Sequence, residues 1–467
     1  MFKNSLILIS LIAFLFSCEK NTPSGTKGLV FSDDTIYFDT VFTTIGSTTR
    51  ELRVRNSEKH RIRIDEIYLA GGNDSQFRLN IDGEPVSRKQ DLDLEEGDSI
   101  FIFVDVLIDP TNNNSPVAVS DSIIFRCSDI VQKVQLLAWG QDIVLFDNEI
   151  IKSQVWQELK PYVIYNDIFI DTMETLTIGE GTRILFHNGG SMTVAGNLVV
   201  NGSFESPVLF ASDRIEKVYE DIPGQWNGIL FLNTSKGNNL SHLMLRNAIY
   251  GVQMGESDIV NDMPDMKLFY TNISHSSVSC LSVYNGAVEA ANCIFSHAGN
   301  YCIYLAAGGD YSFIQCTISN RWEYGFRLTP SVVVSEGPVI PGGLTDQINL
   351  SIINCVLYGD NDSELEIIPL STGFSGDYLF DHCLLRLDTL NASFWVNELF
   401  PGVLINKDPR FIDAGMYDFR PDTLSPLIDN GNSLYISTYP YDFRGVSRSI
   451  DGNPDIGAYE RVIGEDR

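Results

Sequence analysis

Five short strings in this chain share one pattern: a small residue, then two apolar residues with one position between them. They are Gly228-Ile229-Leu230-Phe231, Gly251-Val252-Gln253-Met254, Cys280-Leu281-Ser282-Val283, Cys302-Ile303-Tyr304-Leu305 and Gly325-Phe326-Arg327-Leu328, and their first residues are 23, 29, 22 and 23 positions apart. A second ladder runs nine residues upstream of the last two strings, as Cys293 and Cys316, and continues with Cys355 and Cys383. Self-similarity at a period of about 20 to 50 residues marks a solenoid, in which each repeat buries its apolar edge on its neighbours. Here the apolar residues alternate with others over short runs, which is the period of strands rather than helices. One coil of short strands per 22 or 23 residues predicts a parallel β-helix from about Ile168 to Cys383.

A chain of 467 residues exceeds a single ordinary core, and a content of 44% hydrophobic and 11% aromatic residues is that of a folded protein. The formal charge is −29, from 61 acidic and 32 basic side chains. That field repels nucleic acid and anionic lipid head groups. It also opposes uptake of polyanionic sugars unless a local basic groove overrides it.

Residues 1–17 read as a signal peptide. Lys3 supplies the positive start, and Leu6 to Phe16 is an apolar run too short for a lasting membrane span. The string Leu15-Phe16-Ser17-Cys18 that follows resembles the lipobox of bacterial lipoproteins. The resemblance implies that Cys18 is acylated and becomes the mature N-terminus, with several acyl chains for a stable anchor. The expected location is the cell envelope, at the outer membrane. Residues 18–27 are polar with Pro and Gly, and read as a tether.

Residues 28–142 contain alternating runs such as Thr35-Ile36-Tyr37-Phe38 and Ser99-Ile100-Phe101-Ile102-Phe103-Val104, separated by turn signals such as Gly71-Gly72-Asn73-Asp74 and Asp82-Gly83-Glu84-Pro85. This predicts a β-sandwich of about seven strands. Leu94-Glu95-Glu96-Gly97-Asp98, Asp109-Pro110 and the terminal Leu137-Ala138-Trp139-Gly140 give the segment a resemblance to hydin-type immunoglobulin-like domains, which implies a spacer or interaction module.

Residues 143–166 read as a linker and N-terminal cap in which Trp156 and Tyr162 cover the open end of the solenoid. The solenoid itself is placed at 167–404. Its opening, through Gly181-Thr182-Arg183-Ile184-Leu185-Phe186 and Met192-Thr193-Val194, is similar to right-handed parallel β-helix proteins of bacterial surfaces, the architecture shared with pectate-lyase-like enzymes. The seven cysteines after Cys18 are an odd number, and side chains stacked in parallel suit disulfide geometry poorly, so a ladder of buried thiols is expected. Residues 405–467 carry Ser425-Pro426-Leu427-Ile428-Asp429-Asn430-Gly431, Asp442-Phe443-Arg444-Gly445 and Asp451-Gly452-Asn453-Pro454-Asp455-Ile456-Gly457-Ala458-Tyr459-Glu460. This combination resembles the C-terminal region of choice-of-anchor Q proteins, and its Asp, Arg and Gly residues suit a hydrogen-bonded cap over the last coil.

Departures from the period point to a site. Extra residues follow Met254, Leu328 and Ile367, and all three insertions are expected at the same corner, just after the repeated string. Insertions in solenoids map to one face, often the binding face. Walls three coils apart would stand about 14 Å from each other, enough for one glycan chain or extended peptide. The x positions Gln253, Ser282, Tyr304 and Arg327 should point outward there, and with Tyr284, Asn285 and Asp310 they form the expected floor, aromatic faces with hydrogen-bonding tips.

Support for catalysis is thinner. The resemblance to pectate-lyase-like enzymes would call for acidic calcium ligands beside a basic residue, and only Glu289 and Asp310 are placed near Arg327. Asp360-Asn361-Asp362-Ser363-Glu364 lacks the spacing of a calcium loop and reads as a solvated turn. No catalytic residue, metal ligand or cofactor is assigned; calcium enters only if the chain is a lyase. The expectation is an all-β, monomeric, lipid-anchored envelope protein whose β-helix binds a glycan or protein partner without catalysis. A polysaccharide lyase or glycoside hydrolase using the same groove is the first alternative, and a purely structural surface protein the second.

Overall fold

The computed structural model describes residues 28–255, 265–338, 343, 345–370, 375–388 and 400–464. The signal peptide, the tether and Cys18 lie outside the described residues, as does most of the insertion after Met254. The chain divides between Asp142 and Ile143 into two units.

The first unit is an immunoglobulin-like sandwich. Its described residues form two five-stranded sheets rather than seven strands in all. Strands alternate inward and outward, so Leu52, Val54, Ile64, Ile67, Ile102 and Val104 are buried without remainder. The last long strand, Ile130–Gln141, pairs antiparallel with Val117–Cys127 and parallel with Thr35–Phe42, so the segment that ends the unit is held on both edges.

The second unit is a parallel β-helix with three faces. The first face is an eleven-stranded parallel sheet that starts at Val144–Phe146 and ends at Leu404–Ile405. The second and third faces are the two arms of a sixteen-stranded sheet. The second runs from Glu149–Ile151 to Leu365–Ile368, and the third from Gln154–Trp156 to Asp377–Asp381. Two long strands, Ser279–Ala291 and Tyr301–Ile314, bend across the corner and join both arms. Inside, like sits on like: Met192, Ile229, Val252, Leu281, Ile303, Val332 and Leu365 form one ladder of the second face in unbroken register. Small residues open the repeated strings because coils crowd there. A Cβ on Gly228, whose φ is +117°, would lie 1.6 Å from the Tyr250 carbonyl oxygen.

The β-helix begins earlier than the repeat indicates. Residues 144–156 already complete one coil, and Trp156 and Tyr162 are not a lid laid over it. Both are buried inside, where Trp156, Phe146 and Tyr162 form one ring cluster, Trp156 lying 4.7 Å from Phe146 and 4.6 Å from Tyr162.

A second difference concerns Gly325-Phe326-Arg327-Leu328. This string fits the pattern but is no strand; Phe326 and Leu328 are 99% and 92% exposed. Val332–Ser335 takes the place on the second face, pairing Ile303 with Val332 and Leu305 with Val334. A run of three valines suits a strand buried on both sides. Arg327 is instead drawn inward to Glu364. The extra residues are therefore split, with 321–331 preceding the strand and 336–347 following it, so one of the insertions leaves the helix at two corners.

The cysteines form ladders of buried free thiols. Cys293, Cys316, Cys355 and Cys383 each follow a residue with left-handed φ, namely Asn292, Gln315, Asn354 and His382, at the corner between the third and first faces. Each Sγ donates to the carbonyl two residues back, at 3.3, 3.3, 3.1 and 3.4 Å. One coil earlier Thr271 does the same with its hydroxyl at 3.1 Å, after left-handed Tyr270. A small side chain with a donor satisfies a buried carbonyl at each turn of this corner.

The C-terminal segment does not sit over the last coil. It runs back along that same corner: Asn432 Nδ2 donates to Asp381 Oδ2 at 2.7 Å and Asn354 Nδ2 to the Asn432 carbonyl at 3.0 Å. Ala458 N donates to Thr317 Oγ1 at 2.9 Å, and Arg448 Nη2 to Asn292 Oδ1 at 2.7 Å.

Candidate functional site

The residues expected to form one floor are distributed over several places. Gln253, Ser282 and Tyr304 are in register on adjacent coils of the second face, but Ser282 is buried and its Oγ is 2.7 Å from that of Ser279. The next place in their row belongs to Val333, not Arg327. Tyr284 and Tyr301 lie against Tyr304, with ring distances of 6.0 and 5.1 Å, so the three rings shield one another and burial raises the pKa of Tyr284 and Tyr304. Asn285 is buried at the bend between faces, with a left-handed φ of 53°.

Arg327 leaves the floor altogether. Its guanidinium grips the Glu364 carboxylate, Nη1 to Oε2 being 2.8 Å, and Glu364 is fully buried. Glu364 also accepts Ser331 N at 2.8 Å and Asn361 N at 2.9 Å. The Asp360–Glu364 stretch thus ends in the buried partner of Arg327 rather than in solvent. Local composition hid this, since a run of acids reads as exposed unless the distant cation is known.

Asp310 lies on the third face, and there a trough does form. It encloses about 640 Å³. Two outward rows line it: Asp265, Ala287, Asp310 and Asn349 in one, Lys267, Glu289, Ser312 and Ser351 in the other, each in register on successive coils. Ala287, Ser312 and Ser351 are short, which hollows the surface between longer neighbours. The third outward row, Phe269, Ala291, Ile314 and Ile353, packs with Tyr439 of the C-terminal segment, which makes one wall.

The polar groups are fixed before any ligand arrives. Asn349 Nδ2 donates to Asp310 Oδ1 at 2.7 Å. Glu289 accepts the Tyr439 hydroxyl at 2.6 Å and lies 3.0 Å from Lys267 Nζ. Burial opposes the charge of Glu289, but the hydrogen bonds from Tyr439 and Lys267 outweigh it and hold its pKa below the ordinary value. It is therefore an ionised acceptor at neutral pH, not a proton donor. Among the described residues no group of three or more His, Cys, Asp or Glu converges to hold a metal ion. On the first face, His275 and His297 pack as rings, stacked at 5.1 Å under the edge of Tyr417.

Of the trough residues, Lys267, Asn349 and Tyr439 were not legible as site residues. The signal for Lys267 is the same 22- or 23-residue period applied to polar residues, which carries Lys267 to Glu289 and on to Ser312. Asn349 lies 39 positions after Asp310, beyond an insertion that breaks the period. Tyr439 is brought in by the returning C-terminal segment, which no period announces.

No family model and no curated protein sequence matches the chain. Among solved structures, PapD-like domain 7 of human CEP192 is similar over 27% of this chain and 96% of its own, at 11% identity and a TM-score of 0.18. A family 123 glycoside hydrolase from Clostridium perfringens is similar over 27% of this chain and 26% of its own, at 8% identity and a TM-score of 0.19. A protein of unknown function from Porphyromonas gingivalis W83 is similar over 27% and 60%, at 9% identity and a TM-score of 0.19. Likeness at this level carries no argument about activity.

Proposed function

We propose that the third face of the β-helix binds a neutral or weakly cationic glycan strand, without catalysis, in a protein held at the outer membrane by lipid on Cys18. The observation that carries this reading is the trough itself. Rows of carboxylate, amide and hydroxyl groups repeat along the helix axis about every 4.8 Å, beside the ring of Tyr439. Repeated acceptors beside an aromatic wall suit the hydroxyls and apolar faces of a sugar chain. The charge of −29 turns anionic polymers away and leaves neutral or cationic ones.

Glu289, whose pKa is held below the ordinary value, is suited to accept hydrogen bonds from a bound strand rather than to protonate a leaving group. The test is a panel of envelope, plant and host polysaccharides. Retention without new reducing or unsaturated ends is the expected result, with Asp310→Ala and Asn349→Ala each weakening it about tenfold. Release of such ends would make the protein a hydrolase or lyase; no retention by any member would overturn the reading. Mass spectrometry of the mature N-terminus tests the anchor, with an acylated Cys18 expected.

A further inference from the structure

A second cavity, of about 330 Å³, opens on the first face. Its floor is apolar, made by Leu185, Leu209 and Ala211 on neighbouring strands. Its rim is cationic, with Arg214, Lys217 and Arg246 gathered in a chain whose formal charge is −29.

The rim is built rather than incidental. The loop that carries Arg214 and Lys217 is pinned by amides: Asn247 Nδ2 donates to the Glu220 and Ile222 carbonyls at 2.8 and 2.9 Å, and Gln225 Nε2 donates to those of Tyr219 and Ile222 at 2.8 and 2.7 Å. Arg214 lies flat on the Tyr219 ring at 3.7 Å and pairs with Glu216. Arg246 pairs with Glu220 through Nη1 at 2.8 Å, while its Nε is buried without a hydrogen-bond partner. Lys217 enters no salt bridge among the described residues. The pocket lining therefore holds three cations and one carboxylate, Glu220, with Glu216 paired to Arg214 beside it, and donors on Arg246 and Lys217 are left over.

We propose that this pocket binds a single organic carboxylate of the size of one uronic acid unit. Arg246 and Lys217 hold the carboxylate, and the body lies on Leu185, Leu209 and Ile215. One charge is the limit, because Glu216 and Glu220 stand beside the cations and would repel a second. The apolar floor favours a ring or short chain over a bare inorganic ion. This face is separate from the trough, and the proposal stands whether or not the trough binds a glycan.

The experiment is calorimetric titration of the full chain with glucuronate, with glucose and inorganic phosphate as competitors. Glucuronate should saturate one site that neither competitor empties. Arg246→Gln should weaken it about tenfold or more, as expected for loss of a charged hydrogen bond. Lys217→Gln, on an exposed side chain whose loss leaves the fold intact, should weaken it roughly threefold. Failure of glucuronate to saturate overturns the proposal, as does affinity unchanged in both variants. Displacement by glucose would remove the carboxylate from recognition, and displacement by phosphate would remove the organic body; either result also overturns it.

Discussion

The guanidinium of Arg448 and the carboxylate of Glu460 are both fully buried, with Nη1 3.2 Å from Oε2. Around them the backbone folds inward: Arg448 Nη2 donates to the Gly457 carbonyl at 2.9 Å as well as to Asn292 on the β-helix, and Asp455 N donates to Glu460. Twelve residues separate the two in sequence, yet together they fasten the C-terminal segment to a coil more than 150 residues earlier.

Removing Arg448 leaves the buried acceptors on Glu460, Asn292 and the Gly457 carbonyl without their donor and opens a cavity among them. Arg448→Ala should cost about 3–5 kcal/mol, read as a lower unfolding midpoint in denaturant. Arg448→Met with Glu460→Gln should recover much of that loss, since neither replacement brings a charge into the site.

The same logic applies to Arg327 and Glu364. Arg327→Ala should destabilise the β-helix by about 3 kcal/mol or more, and should leave glycan retention by the third face unchanged at temperatures where the fold persists. Thermal melting and the retention assay read the two effects separately. Loss of retention with an unchanged melting curve would return Arg327 to the binding surface.

Two glutamates give opposite limbs to the pH dependence. Burial raises the pKa of Glu460 to about 8, against an ordinary 4.5. The folded state then holds the proton more tightly than the unfolded one, so stability is full below 4.5 and falls as pH rises towards 8. Glu336 is the reverse. Burial opposes its charge, but hydrogen bonds from Ser375, Gly376, Tyr378 and Leu370 prevail and hold its pKa at about 2. Its contribution is present above 4.5 and lost as pH falls towards 2. Stability measured across pH should show Glu460→Gln flattening the upper limb and Glu336→Gln the lower one.

At the thiol corner, Cys355→Thr should change stability by no more than about 1 kcal/mol, because Thr271 already fills the equivalent place with a donor of similar size. Cys355→Leu should cost about 1–3 kcal/mol through overpacking. Burial also pushes Cys383 up to about 12 and Cys127 up to about 11. A thiol reagent at neutral pH should therefore label these two no faster than the units that hold them open.

What could be read from the sequence follows from how each feature is encoded. The ladder of Val252, Leu281 and Ile303 is legible because every coil repeats it, and repetition separates signal from accident. The displaced string at Gly325 shows the limit: its four residues fit the pattern, and only Glu364, a residue 37 positions away, decides that Arg327 turns inward. The sandwich was legible in kind but not in strand count, since short edge pairings such as Asn80 with Pro85 leave little alternation to read. The trough needed both kinds of information. Asp310 is legible and Lys267 lies within reach of the period, whereas Asn349 stands 39 residues after Asp310, past an insertion, and Tyr439 arrives through a contact with Glu289 across 150 residues.

A stack of coils that touch only their neighbours can come apart from either end, one layer at a time. Here the final stretch of chain doubles back and is stitched to Glu289, Asn292, Thr317, Asn354 and Asp381 in turn. Peeling any of those layers means tearing the seam as well. The downstream half of the helix is thereby made to fail as a block rather than fray, and the trough it carries keeps its shape until that block gives way.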